Sequence, residues 1–281
     1  MRRDRDVLRD RGRSVARHAE NADSELELAT ALGGLALSQW MEPVPVEAGI
    51  RRCRDLLTRY GAGRRAVRAT VNCSPAVLLG MDGEAAEAGE LLAEALRIVT
   101  DMGHAYAAAT LPLFQAAVAE LADETDRAVR LLREAAPACA ALGDRPLASS
   151  AYRDLARALL ELGRLDEASQ AAAAGVRIPA PSASATADLR GIGARIAAAR
   201  GQARDARAGA DGAVAAAWTT DSPTCRATAL LDLAYTEFGL GDGAAALGAA
   251  ERAHRIFTHK GHLPGAGQTL ALMGRVEGGT R

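Results

Sequence analysis

Two arginines are the side chains of this sequence best suited to holding a partner molecule. Arg153 and Arg157 are four residues apart in a stretch with helical periodicity, so they share one face of that helix. A guanidinium group donates paired hydrogen bonds to a carboxylate or a phosphate. The same arginines could instead pair with the acidic residues Glu161 and Asp188 on neighbouring turns. Two interpretations therefore stay open, a basic binding surface and a set of internal ion pairs.

Motifs for a cofactor, a metal or catalysis lack the context that they need. The glycines of 239–243 lie between two predicted helices with no strand ahead, so they are turn glycines rather than a nucleotide loop. The one lysine, Lys260, is followed by Gly261, which rules out a P-loop at that position. The sequence places no histidine beside Cys225, so a reactive thiol is not indicated. We predict a non-enzymatic chain with no catalytic residue and no cofactor.

Three histidines cluster towards the C-terminal end of the chain. They are His254, His259 and His262. A metal site needs a further ligand and a rigid arrangement, and neither is apparent from the spacing. Imidazoles at a helix C-terminus are commonly solvated and interact favourably with the helix end. We therefore predict no metal site here.

The composition favours a protein built from closely packed helices. Apolar residues make up 49% of the 281 residues, but most are small and only 3% are aromatic, whereas strands favour β-branched and aromatic residues. The formal net charge is −1, so we expect no direct binding to nucleic acid. The charged start has no apolar core for export, and no apolar run is long enough to span a bilayer. The four cysteines form no CxxC pair, and we predict a cytoplasmic protein without a membrane partner.

Turn residues recur along the chain with a fixed period. The turns inside successive helix pairs are predicted near 83, 123, 163, 201 and 241, which are 40, 40, 38 and 40 residues apart. The predicted helices around them cover 5–21, 25–40, 46–60, 64–79, 84–102, 105–121, 125–142, a hairpin within 147–179, 184–200, 202–218, 223–240, 243–259 and a last helix after Pro264. Two helices per period of this length are typical of an α-solenoid.

Small residues keep the same phase as the turns. The fifth residue after each inner turn is an alanine, and the twelfth is an alanine or a glycine. The two sets are Ala88, Ala128, Ala168, Ala206 and Ala246, followed by Ala95, Ala135, Gly175, Ala213 and Ala253. We predict that they let the two helices of each hairpin approach closely.

The segment Gly163–Ala168, GRLDEA, and the small and large residues around it resemble the tetratricopeptide repeat, with a longer period than usual. Residues 220–261 are similar to the C-terminal repeat region of bacterial adenylate/guanylate cyclase-domain proteins. The matching segments are ALLDLAYTEFGLGD and AAERAHRIFTHKG. Similar helical arrays follow the NTPase modules of large ATP-dependent transcription activators. The resemblance implies an all-α, right-handed α-solenoid of antiparallel hairpins. The catalytic modules of those proteins have no counterpart in this sequence.

The resemblance also implies that the first helix of each hairpin lines a concave groove. The residue six before each inner turn is then Arg157, Arg195 or Tyr235 in the middle and C-terminal repeats, and Arg153 lies one turn earlier than Arg157. These four residues form a predicted basic, partly aromatic stripe. It suits a protein or peptide partner, including an acidic one.

We expect one repeat domain over 1–281. It comprises irregular hairpins over 1–63, regular repeats over 64–261, and a capping helix with a frayed tail over 262–281. The helix at 5–21 looks like the second half of a hairpin, which suggests an array that continues in a larger regulator. The predicted function is an interaction scaffold or sensing arm in bacterial signalling or transcription regulation. Two alternatives stay open: a regulatory fragment that gates a cyclase or NTPase module elsewhere, and a peptide or small-ligand receptor.

Overall fold

The computed structural model describes residues 24–178 and 182–279, which form thirteen helices and no strand. The helices are α1 Glu25–Met41, α2 Val46–Tyr60, α3 Arg65–Met81, α4 Ala85–Met102, α5 Ala105–Leu121, α6 Thr125–Ala141, α7 Arg145–Glu161, α8 Leu165–Arg177, α9 Ala183–Ala199, α10 Ala203–Trp218, α11 Pro223–Gly239, α12 Gly243–Lys260 and α13 Leu263–Gly279. This confirms the predicted all-α solenoid. The helix predicted at 5–21 lies outside the described residues. None of the described helices has the length and apolar character that crossing a bilayer requires.

The inner turns lie where the period predicts them. Their central residues all have positive φ, from +62° at Asp123 to +87° at Gly83. This left-handed conformation lets the chain fold back on the last helical carbonyls. At the turn after α7, for example, the N–H of Arg164 donates to the carbonyl of Leu159 at 2.9 Å. The five hairpins from α3 to α12 are therefore closed by the same hydrogen-bonded turn.

The predicted small residues lie between the paired helices. All five alanines of the first set have no exposed surface, and the second set is also buried. At one boundary the helix is longer than predicted. Helix α3 continues past Gly80 to Met81, and the missing side chain of Gly80 leaves room for Leu121 of α5. In α8, Val176 is exposed, whereas Gly175 lies against Leu189 of α9.

The inner helices α1, α3, α5, α7, α9, α11 and α13 converge on the inside of a curve. Side chains two repeats apart meet there, which is possible only on a concave face. Trp40 at the end of α1 contacts Phe114 of α5 edge-on, with ring centroids 6.1 Å apart. Arg157 of α7 similarly reaches α11. The concave face of the described array is therefore lined by the first helix of each hairpin, as the sequence predicts.

The curvature brings the last complete hairpin back to the first. Lys260, at the end of α12, is buried, and its ammonium group donates to the carbonyls of Glu42 at 2.8 Å and Val44 at 2.5 Å. Burial lowers the pKa of Lys260 to about 8, opposed by the nearby Glu42 carboxylate. The next helix, α13, begins beside the turn at Gly83. The solenoid thus completes one superhelical turn and closes on its own beginning.

We expect Lys260→Met to loosen this closure. Methionine keeps the apolar stem but removes the ammonium donor. The Glu42 carbonyl keeps the hydrogen bond from the Val44 N–H, whereas the Val44 carbonyl loses its donor, which costs about 1–3 kcal/mol. Chemical denaturation measures the loss, and hydrogen exchange should speed up in the first turn of α2. Arg255→Met, at an exposed position of α12, is the control and should change neither. Equal stability of the two variants would contradict a closure held by Lys260.

Candidate functional site

The structure brings the four predicted groove residues together on the concave face. Arg153 and Arg157 project from α7, Arg195 from α9 and Tyr235 from α11. The guanidinium carbon of Arg195 lies 4.3 Å from the centroid of the Tyr235 ring, a cation–π contact. The four residues therefore lie close together across three inner helices.

Carboxylates pair with all three of these arginines. Arg157 donates two hydrogen bonds to Asp232 of α11, Nη1 to Oδ1 at 3.0 Å and Nη2 to Oδ2 at 2.9 Å. This fork-shaped geometry is the strongest that a guanidinium makes with a carboxylate. Asp232 is almost fully buried, so its charge depends on these contacts.

The other two arginines extend the same network. Arg195 Nη1 donates to Glu161 Oε1 at 2.6 Å and to Asp232 Oδ1 at 3.3 Å. Arg153 donates to Asp154 at 2.7 Å, and its Nη1 lies 3.6 Å from Asp188 Oδ2. The internal pairing with Glu161 and Asp188 that the sequence left open is thus present. We call these seven side chains, together with Glu120 of α5, the ionic cluster.

Burial and charge act in opposite directions on the acids of the ionic cluster. Burial would raise the pKa of Asp232, but the attraction and hydrogen bonds of Arg157 and Arg195 outweigh it and hold the pKa below its usual value. For Asp188 burial prevails over Arg153 and Arg157, so its pKa is raised. Asp232 is accordingly the firmly ionised centre of the ionic cluster.

The ionic cluster presents carboxylates rather than guanidinium groups to solvent. The side chains of Glu161 and Asp154 are 39% and 32% exposed, whereas the three arginines are only 12% to 20% exposed. Five carboxyl groups face three guanidinium groups, a formal charge of 3 − 5 = −2. Glu161 and Asp154 are therefore the most exposed charged side chains of the ionic cluster.

Glu120 is the member of the ionic cluster that no sequence pattern indicated. Its Oε1 atom is buried and has no hydrogen-bond partner among the described residues. Burial, followed by repulsion from Asp154, raises the pKa of Glu120 to about 8, against the attraction of Arg157. At neutral pH this carboxyl is therefore mostly protonated, which reduces the formal charge of the ionic cluster to −1.

The sequence analysis did not select Asp232 either, although its position within an apolar run could have indicated it. It interrupts the apolar run Leu230-Leu231-Asp232-Leu233 inside a predicted helix, where an unpaired charge would be costly to bury. Its partner Arg157 is 75 residues away, so the pairing could not be read from local spacing. Gly191 of α9 completes the arrangement, because it lies against Asp232 and leaves room for its carboxylate.

The histidines near the C-terminal end have separate structural roles. His262 is buried against Phe257, with ring centroids 5.0 Å apart, and its Nδ1 accepts the N–H of Gly265 at 3.0 Å. Burial lowers the pKa of His262 to about 4. His254 Nδ1 lies 2.9 Å from the hydroxyl of Thr269. Within residues 24–178 and 182–279, no group of three or more histidine, cysteine, aspartate or glutamate side chains is arranged so that it could hold a metal ion.

Comparison with known proteins gives a likeness in fold alone. No protein-family model matches the chain, and no curated protein matches it either. BtubC (BKLC) from P. vanneervenii is 16% identical, with a TM-score of 0.51, over 83% of this chain and 91% of its own. A putative kinesin light chain of Podosopora anserina with TPR-like repeats is 22% identical, with a TM-score of 0.47. The match covers 66% of this chain and 92% of that protein. A chain of the APC/C hetero-tetramer Cut9-Hcn1 is 14% identical, with a TM-score of 0.40. The match covers 89% of this chain and 55% of that one. The chain is thus an all-α solenoid of helical hairpins.

We expect Gly191→Ala to disrupt the ionic cluster. A Cβ at this position would lie 2.3 Å from Asp232 Oδ2, so the carboxylate must leave its place between Arg157 and Arg195. Breaking a buried ion pair costs about 3–5 kcal/mol, far more than the roughly 1 kcal/mol that alanine gains in a helix. Thermal or chemical unfolding measures the loss.

Gly193→Ala is the matched control on the same helix. A Cβ there meets nothing within 4 Å, so this variant should be as stable as the wild type or up to about 1 kcal/mol more stable. If Gly191→Ala were as stable as Gly193→Ala, the carboxylate of Asp232 would not occupy the place described.

We expect Glu120→Gln to change how stability depends on pH. Because the pKa of Glu120 is raised to about 8 in the folded chain, the folded state retains a proton that the unfolded state releases above the ordinary glutamate pKa. The free energy of unfolding of the wild type relative to that of Glu120→Gln should therefore fall as pH rises from about 5 to 8, because the opposite effect of the lowered His262 pKa is common to both proteins. The fall in this difference is at most about 1.4 kcal/mol per pH unit.

Urea denaturation of both proteins at several pH values measures this difference. Glu90→Gln, at an exposed position of α4, should keep the pH dependence of the wild type. Parallel pH profiles for wild type and Glu120→Gln would show that Glu120 is ionised in the fold.

Proposed function

We propose that this chain is a non-enzymatic protein-interaction scaffold whose concave face holds an extended or helical segment of a partner. The ionic cluster is the observation that supports this. Charged groups of both signs are held in place by contacts between side chains two repeats apart, such as Arg157–Asp232. These groups are therefore already positioned before a partner binds. Positioned groups lose little entropy on binding and give specificity.

The exposed carboxylates favour a partner segment that carries lysine or arginine. The sequence pattern suggested an acidic partner, since it shows the arginines and not their distant acids. All three guanidinium groups already have carboxylate partners, whereas Glu161 and Asp154 keep about a third of their surface in solvent. A basic side chain can pair with these oxygens without breaking the Arg157–Asp232 pair.

A direct test compares two labelled peptides of equal length and hydropathy, one rich in lysine and arginine and the other rich in aspartate and glutamate. We expect the basic peptide to bind and the double variant Asp154→Asn, Glu161→Gln to weaken it roughly tenfold, the effect of about 1.4 kcal/mol. The control variant Glu90→Gln, Glu251→Gln removes two exposed acids from α4 and α12 and should bind like the wild type.

The design spares the arginines because their replacement would leave buried acids unpaired and unfold the site. Preference for the acidic peptide would instead support the basic binding surface that the sequence predicts, which consists of Arg153, Arg157, Arg195 and Tyr235. Binding of neither peptide, together with no partner captured from a native extract, would argue against the concave face as a docking site.

We further propose that the scaffold works as an arm in bacterial signalling or transcription regulation. The support is the resemblance of residues 220–261 to the helical arrays of cyclase-domain and NTPase regulators. Capture of a nucleotide cyclase or an NTPase regulator by the wild type, and its loss with the double variant, would support this context. Capture only of proteins unrelated to regulation would contradict it.

A further inference from the structure

Helix α13 has one side that no other described part of the chain covers. Its residues Leu272 and Val276 are buried in the apolar core that α11 and α12 also form. The opposite side of the helix is exposed and consists of Gly267, Leu270, Ala271 and Gly274. We call these four residues the free face of α13.

The free face is unusual for a helix surface in water, because it carries no charged residue. Leu270 is 54% exposed, and Leu263, two turns earlier on the same side, is 57% exposed. A helix that ends a repeat array in solvent normally presents polar residues on its outer side. The composition of the free face therefore indicates a surface that a partner covers.

The same register is buried one repeat earlier. The residues forty positions before the free face belong to α11 and are only 0% to 6% exposed. They are Ala227, Leu230, Leu231 and Ala234. They share one apolar cluster with Ala246, Ala250 and Ala253 of α12, the second helix of that hairpin. The free face thus corresponds to the surface that α11 turns towards its own second helix.

Gly267 and Gly274 occupy two positions that are small in every hairpin from α3 to α12. The residues seven and fourteen positions before each inner turn are alanine or serine, and all are buried except the half-buried Ala109. The two sets are Ala76, Ala116, Ala156, Ala194 and Ala234, and Ala69, Ala109, Ser149, Ala187 and Ala227. Continuing the period of 40 from 241 to 281 makes 274 and 267 the corresponding positions. A Cβ at either glycine would meet nothing within 4 Å, so the space for a closely packed helix is open.

The free face is complementary to itself. A second α13 can lie antiparallel to the first, with the crossing point midway between residues 270 and 271. Gly267 of each copy then faces Gly274 of the other, which removes side chains at both points of close approach. Leu270 of each copy faces Ala271 of the other, so the large side chain meets a small one. A patch that matches its own copy in this way is what a two-fold symmetric interface requires.

We propose that two copies of this chain associate through the free face of α13, antiparallel about a two-fold axis. In this arrangement α13 of each copy takes the place, beside α13 of the other, that the second helix takes in a complete hairpin. The contact reuses the geometry of the fold, in which antiparallel helices touch through small residues seven positions apart. Both copies use the same patch, so association stops at two chains.

Sedimentation velocity over a range from micromolar to millimolar chain tests the proposal. The wild-type weight-average mass should rise with concentration to that of two chains and not beyond. Leu270→Asp should keep the mass of one chain, because two carboxylates would be buried between the paired helices. Leu96→Asp is the matched control, since Leu96 is 44% exposed on α4 and should be replaced without loss of association.

A second pair of variants tests the close approach at Gly274. Gly274→Ala keeps the residue size that five hairpins have at this position, so it should associate like the wild type. Gly274→Leu should hold the two helices apart and abolish association. Neither variant strains the single chain, because a Cβ at 274 meets nothing within 4 Å and both residues favour a helix over glycine. Circular dichroism and thermal unfolding check that every variant is folded.

The proposal is overturned if the wild type keeps the mass of one chain at millimolar concentration, or if its mass grows beyond that of two chains. It is also overturned if Leu96→Asp abolishes association. Association of folded Leu270→Asp or Gly274→Leu at wild-type concentrations would place the contact elsewhere on the chain and equally overturn it.

Discussion

The close approach of the two helices in each hairpin is the constraint on which the rest of the structure depends. An alanine five residues after every inner turn has no exposed surface, so any larger side chain there would force the helices apart. Because the same contact recurs at a fixed period, each repeat adds the same small rotation, and the rotations accumulate into one superhelical turn. The concave face and the closure at Lys260 both follow from this accumulation.

Curvature explains why so many charges are found together in an alanine-rich core. Inner helices converge, so side chains from α5, α7, α9 and α11 share a small volume in which each charge needs a partner. Buried ion pairs of this kind contribute little net stability. Any other relative placement of the helices, however, would leave a buried charge unpaired. The ionic cluster therefore fixes the relative placement of three inner helices, and it leaves carboxylates as the groups that solvent and partners meet.

Closure brings α12 onto the turn after α1, a contact that an open solenoid lacks. The Lys260 ammonium donates to two carbonyls of that turn, and the Glu42 carbonyl also accepts the N–H of Val44. The register position of Lys260 in the last repeat holds Met102 and Leu142 in earlier ones, where it is exposed. The same position in the repeat is therefore buried only where the curve closes.

The sequence by itself determined the all-α class, the period, the inner turns and the small residues between helices, because those features depend on contacts within one hairpin. Local spacing also placed Arg153 and Arg157 on one face of a helix, and the resemblance to tetratricopeptide arrays added Arg195 and Tyr235 to that face. Tertiary structure decided how the arginines are used. Asp232 lies 75 residues from Arg157, and Glu42 lies 218 residues from Lys260. Such pairs arise only when the small rotations of successive repeats have summed to a closed curve, and no local pattern encodes that sum.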